Sequence, residues 1–184
     1  MPTYPHLRIK QEIDRIKIWW DKVDKAVDNV DKSRHLSVKP MLIGEYLHTI
    51  DQKNRLSVPS KFRKDLGKKV VLTRGLDKCL FLYAAPAWEE LAKKLSTLPI
   101  GKTENRSFVR SIIAGATEVE IDALGRILLP DYLRVYANLT EAAQVIGLYT
   151  RAEIWSPEVW RKYNESAAEN LEKVAEKLGE AGLY

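Results

Sequence analysis

Two stretches of this chain follow one template. Gly44, Ile50, Asp51, Arg55, Pro59, Phe62 and Arg63 are matched, with no gap in the spacing, by Gly115, Ile121, Asp122, Arg126, Pro130, Leu133 and Arg134. The likeness runs on to the aromatic pairs Tyr83 with Trp88 and Trp155 with Trp160. A fold for this chain must therefore hold two copies of one strand–turn–strand–helix unit. A unit of this size buries a modest share of its surface, so each copy is expected to pack on the other or on another subunit.

Local signals fill in the unit. Leu42 to Ile50 reads as a strand, Asp51 to Asn54 as a turn, and Arg55 to Val58 as a second strand. Pro59 opens a short helix with Phe62 and Leu66 inward, and Gly67 suits its stop. Strands follow at Val70 to Thr73 and Leu80 to Tyr83, around a turn at Gly75 to Asp77, with Cys79 read as a small core residue on a strand. A helix from Pro86 to Leu95 carries Trp88, Leu91 and Leu95 inward. Pro99 and Gly101 mark a linker, and Thr103 to Ile113 suits a helix with Phe108, Val109 and Ile112 on one side. The second copy repeats the order: a turn at Asp122 to Gly125, a strand to Leu129, a helix to Ala137, and strands at Gln144 to Leu148 and Ala152 to Trp155. Ser156-Pro157-Glu158 is a strong helix start. Beyond it Trp160, Tyr163, Ala167, Leu171, Val174 and Leu178 make one apolar face, expected to pack, including between subunits.

Each turn carries its own chemistry. An aspartate at the start of a tight turn accepts backbone N–H groups within it, and Asn54 or Gly125 supplies the residue able to take positive φ. Arg55 and Arg126 then open the next strand. The spacing supports an aspartate–arginine pair that braces the turn. An arginine held in this way is also pre-organised to fork onto a guanine edge or a phosphate.

The net charge is +5, and its location says more than its total. Between Lys53 and Lys78 there are nine Lys or Arg against Asp65 and Asp77, whereas Thr103 to Arg134 holds four basic residues and five acidic ones. The first copy is basic and the second is not. A solvated surface accounts for such charge, and so does a polyphosphate partner, whose neutralised phosphates release condensed counterions.

Apolar runs are interrupted by charge well short of the ~20 residues that span a bilayer, and the start lacks the apolar core of a signal peptide. A soluble, intracellular protein is expected. One cysteine cannot make an internal disulfide. His6, His35 and His48 lack metal-ligand spacing, no glycine-rich phosphate loop is present, and Cys79 has no adjacent base. No enzyme activity, metal, cofactor or small-molecule substrate is expected, and no membrane partner.

The segments from Met41 to Arg55, Val71 to Tyr83, Ile121 to Pro130 and Val145 to Gly147, together with Gly115-Ala116, closely resemble the bacterial MraZ family. The resemblance covers residues 41 to about 180. It implies an α+β fold of tandem duplicated SpoVT/AbrB-like, swapped-hairpin β-structures with short helices and a longer C-terminal helix. It implies domains at 41–101 and 102–184, assembled as a ring-shaped homo-oligomer. It also implies a regulator, cytoplasmic and lying on the nucleoid, that binds short G-rich repeats in double-stranded DNA upstream of its own gene in the division and cell wall cluster. The family's Asp-x-x-x-Arg motif falls on Asp51 and Arg55 and on Asp122 and Arg126. The first copy departs from the usual pattern by placing Asn54 where glycine commonly stands.

On this reading Arg55 and Lys53 reach DNA, Asp51 braces Arg55, and Lys61, Arg63 and Lys64 add phosphate contacts. Arg126, braced by Asp122, is the counterpart in a second copy that holds the oligomer together or reads another box weakly. The competing reading is an AbrB-like scaffold or antitoxin-like module that binds protein, with incidental DNA affinity.

Residues 1–40 admit two readings. Ile9, Ile13, Ile16, Trp20, Val23, Val27 and Val30 alternate steps of four and three, as an amphipathic helix does. Trp20-Asp21, however, is encoded only by TGG followed by GA, and the Val-Asp words after it are near copies of each other. The segment then reads as translated upstream DNA, part of the G-rich operator itself, with Met41 as the true start.

Overall fold

The computed structural model describes residues 41–180 and 182; both readings of residues 1–40 lie outside the described residues. The first copy supplies β1 (Leu42–Thr49), β2 (Arg55–Ser57), α1 (Ser60–Leu66), β3 (Lys69–Arg74), β4 (Leu80–Ala84) and α2 (Ala85–Ser96). A connecting helix, α3 (Thr103–Ile113), leads to the second: β5 (Thr117–Glu120), β6 (Arg126–Leu128), α4 (Asp131–Tyr136), β7 (Ala142–Tyr149), β8 (Arg151–Trp155) and α5 (Pro157–Glu180).

The copies do not fold side by side. One six-stranded sheet runs in the order β1-β7-β8-β4-β3-β5. The first strand of the first copy, β1, pairs antiparallel with β7 of the second, from Leu42 opposite Tyr149 to Thr49 opposite Ala142. Reciprocally, β5 pairs with β3, from Lys69 opposite Glu120 to Leu72 opposite Thr117. Each copy thus gives its leading strand to the other copy's hairpin, and β4 and β8 join the two sets with Phe81 opposite Glu153. This is a swapped-hairpin α+β architecture with a pseudo-two-fold axis through its middle.

The same axis passes through a separate two-stranded ribbon of β2 and β6. Leu56 lies opposite Ile127, Arg55 opposite Leu128, and Ser57 opposite Arg126. Hydrogen bonds continue the symmetry beyond the ribbon: Val58 N–H donates to the Gly125 carbonyl at 2.8 Å, and Leu129 N–H to the Asn54 carbonyl at 2.9 Å. Because side chains alternate along a strand, the inward pair Leu56 and Ile127 is fully buried, while Arg55, Ser57, Arg126 and Leu128 are on the outer face. Phe62 of α1 and Leu133 of α4, template equivalents, enter the same core. Fully burying an aliphatic side chain of this size stabilises by ~1.5–3 kcal/mol.

The helices begin as the sequence signals. Pro59 and Pro130 are the N-cap residues of α1 and α4, and Gly67, at φ 76°, ends α1. Two expectations differ in detail. Cys79 is buried but stands one residue before β4, in the turn where Asp77 and Lys78 take positive φ. On α3 Ile112 is buried whereas Phe108 is 42% exposed. In α5 the side chains of Tyr163, Leu171, Val174 and Leu178 face solvent in the single chain. Trp160 anchors that helix, contacting Trp155 with ring centroids 5.4 Å apart and donating from Nε1 to Glu45 Oε1 at 2.7 Å.

Candidate nucleic-acid interface

Both turns are built alike. In the first, Asp51 Oδ1 accepts the backbone N–H groups of Lys53 at 2.9 Å and Arg55 at 3.0 Å, and Oδ2 accepts Arg55 Nε and Nη2, each at 2.8 Å. In the second, Asp122 Oδ1 accepts the N–H groups of Leu124 and Arg126, both at 2.9 Å, and Oδ2 accepts Arg126 Nε at 2.9 Å and Nη2 at 2.8 Å. Asn54 at φ 57° and Gly125 at φ 78° take the left-handed conformation that each turn needs. The aspartate therefore shapes its turn with one oxygen and aims its arginine with the other.

Electrostatics follow from this geometry. The guanidinium of Arg126, followed by the backbone N–H groups of the turn, holds the Asp122 carboxyl down at about 2. Asp51 is lowered as well, first by the backbone N–H of Arg55 and then by its side chain. Both carboxylates are charged at neutral pH.

The two braces merge into one cluster. Arg126 Nη1 lies 3.5 Å from Asp51 Oδ2, so that arginine faces both aspartates. Arg55 is held by Asp51 alone, and its Nη1 has no hydrogen-bond partner among the described residues. Their side chains are 31% exposed for Arg55 and 22% for Arg126. The first copy thus presents the more available arginine.

Lys53 in the same turn and Lys61 and Lys64 on α1 are exposed and unpaired with acids among the described residues. Arg63 is placed differently: its Nε donates to the Val58 carbonyl at 2.9 Å, and its guanidinium lies over Gly125, where a Cβ would collide with Cζ. In the other copy Asn54 occupies the position equivalent to Gly125. Its side chain donates to Asp131 Oδ1 at 3.2 Å, while Arg134 turns to the Leu139 carbonyl at 3.3 Å and, at 3.5 Å, to Asp131. Glycine in one turn and asparagine in the other are thus matched to two different seatings of the template arginine.

Two features of this surface are hard to find from sequence. Ile127-Leu128-Leu129 reads as a continuous apolar core run, but only its first and last members are buried; Leu128 is 54% exposed, directly across the ladder from Arg55. The strand's two-residue period is the signal that separates them. Likewise the template positions of Lys53, Lys61 and Lys64 hold Leu124, Tyr132 and Val135, all exposed.

Elsewhere the polar chemistry is structural. Glu153 is buried beneath the sheet face, accepting from Arg151 Nη2 at 2.8 Å and from Trp155 Nε1 at 3.1 Å. Burial, followed by the charge of Glu153, pushes the Cys79 thiol far up, which leaves it protonated and unreactive. His48 is half-buried on β1, its pKa lowered by burial and then by the charge of Arg63. No cluster of three or more metal-ligating side chains occurs among the described residues, and no described helix is long and apolar enough to cross a membrane.

The fold and the paired turns define a class: a duplicated, AbrB-like swapped-hairpin protein with an arginine–aspartate cluster on its outer ribbon. A family model described as "MraZ protein, putative antitoxin-like" matches residues 41–111 and again 112–180. The chain is 49% identical over 138 residues to the "Transcriptional regulator MraZ" of Caldanaerobacter subterraneus subsp. tengcongensis, covering 75% of this chain and 96% of that protein. It is 48% identical over 143 residues to the protein of the same name in Caldicellulosiruptor saccharolyticus, covering 78% of this chain and all of that protein. The chain belongs to the MraZ family, whose members here carry the name of transcriptional regulators and not of enzymes.

Proposed function

We propose that this protein is a DNA-binding transcriptional regulator that reads repeated G-rich boxes upstream of its own gene, in the division and cell wall gene cluster, as a homo-oligomer on the nucleoid. The observation that carries the reading is the braced, outward-facing Arg55, with Lys53 exposed in the same turn and Lys61 and Lys64 exposed on the helix that follows β2. Asp51 fixes two of the guanidinium nitrogens, so little side-chain freedom is lost when the remaining edge meets a guanine or a phosphate. The lysines are compact charges suited to the sugar–phosphate backbone. The relatives' name, Transcriptional regulator MraZ, agrees with this use.

Within the proposal Arg63 acts through the turn, seating Gly125, as much as through charge, and Arg126 serves the brace as well as contact. The division into 41–101 and 102–184 marks the two copies, and residues 1–40 take no part in binding. Oligomerisation supplies affinity for repeats, because each further engaged subunit binds at high effective concentration. The exposed apolar face of α5 gives it a surface.

The test is binding of the full chain to the DNA immediately upstream of codon 41, against a scrambled duplex, across a salt series. Preference for the native sequence at moderate salt supports the reading. Equal, weak and salt-sensitive binding to both overturns it and favours the protein-binding, antitoxin-like alternative, which the family description also mentions.

A further inference from the structure

Ribbon β2–β6 carries the arginine cluster, yet one of its four outward residues is apolar. Leu128 is 54% exposed and stands directly opposite Arg55 in the ladder, while the symmetry-related position opposite Arg126 is Ser57. At the tip of the second turn Leu124, the counterpart of Lys53, is 66% exposed. A duplex engaged by Arg55 covers Leu128, and an aliphatic side chain gains nothing against phosphate. In the major groove the apolar feature available to it is the C5-methyl group of thymine, next to the guanine edge that an arginine forks onto. Lys53, in the turn that carries Arg55, matches the charge of the flanking backbone.

Resting on the DNA-binding reading, we propose that Leu128 determines sequence specificity by packing against a thymine methyl beside the guanine bound by Arg55. Ser57 at the equivalent place offers no such selection, so the two halves of the ribbon read different base pairs. One surface then recognises a directional box and not a palindrome.

Deoxyuridine tests this directly, because it lacks the methyl group and otherwise preserves the Watson–Crick pairing of thymidine. The full chain and Leu128→Ser are titrated with the duplex from upstream of codon 41, carrying thymine or deoxyuridine at each position in turn, and with a scrambled duplex. Serine already occupies the symmetry-equivalent site, so the variant is expected to fold, which circular dichroism and sizing check. The wild type should lose about three- to fivefold in affinity when the one contacted methyl is removed, the worth of one buried methyl(ene). Leu128→Ser should bind the thymine duplex more weakly and bind both duplexes alike. Indifference of the wild type to deoxyuridine overturns the proposal, as does discrimination that survives in the variant. A change of oligomer size in Leu128→Ser also overturns it, since Leu128 then faces protein. Failure of the DNA reading itself shows separately, as equal affinity for native and scrambled duplexes.

Discussion

At the scale of single residues, the two arginines of the template are not equivalent. Arg126 sits between Asp122 and Asp51, whereas Arg55 answers to Asp51 alone. Arg55→Ala is expected to cost about 5- to 150-fold in affinity for the native duplex, the range for loss of one bidentate base contact, with melting temperature and oligomer size nearly unchanged. Arg126→Ala leaves two adjacent carboxylates without their shared counter-charge, so its melting temperature should fall further than that of Arg55→Ala. Thermal melts of the two variants side by side decide this; equal shifts would show that the 3.5 Å contact carries no weight. The aspartates set a pH limit as well. Asp122 lies at about 2 in the folded chain, against an ordinary value of 3.8. A depressed carboxylate contributes stability fully above its ordinary pKa and loses it as pH falls through the folded value. The second brace should therefore hold unchanged down to about pH 4 and weaken between there and about pH 2. Carboxyl chemical shifts followed by NMR through that window check it, and an Asp122 midpoint at the ordinary value would remove the brace from the account.

At the scale of elements, the ribbon β2–β6 is short, three residues per strand, and rests on its inward pair. Ile127→Ala deletes a fully buried side chain on the pseudo-axis and is expected to cost ~2–5 kcal/mol, measured by denaturant unfolding. A cost below about 1 kcal/mol would mean that the neighbouring core closes over the gap. Much at this scale was legible in the sequence. The turn residues, Pro59, Gly67 and the 103–113 helix announce themselves because their signals are local: ring geometry, positive φ and a 3.6-residue period. What the sequence hid depends on partners far along the chain. No local pattern distinguishes Leu128 from Leu129 except strand alternation, and none shows that Arg63 seats Gly125 across the copy boundary. Nor does sequence reveal Arg126 leaning on Asp51, a contact made only when the two turns meet.

At the scale of the whole molecule, the repeat announced two copies but not their interleaving, because strand exchange is a matter of long-range pairing. In the sheet β1 depends on β7 and β5 on β3. Residues 41–101 and 102–184, produced as separate polypeptides, should each fail to behave as a folded monomer and should form one complex when mixed. Sizing and circular dichroism of each fragment and of the mixture test this, and two independently folded monomeric fragments would contradict it. The same interleaving has a consequence in the history of the chain. A single-copy ancestor using this architecture would have had to be a homodimer, with the same residue at both positions related by its axis. Joining the two copies in one gene releases that constraint. Position 57 is serine where its counterpart 128 is leucine, and position 53 is lysine where its counterpart 124 is leucine. Covalent linkage is what permits a symmetric frame to carry an asymmetric message.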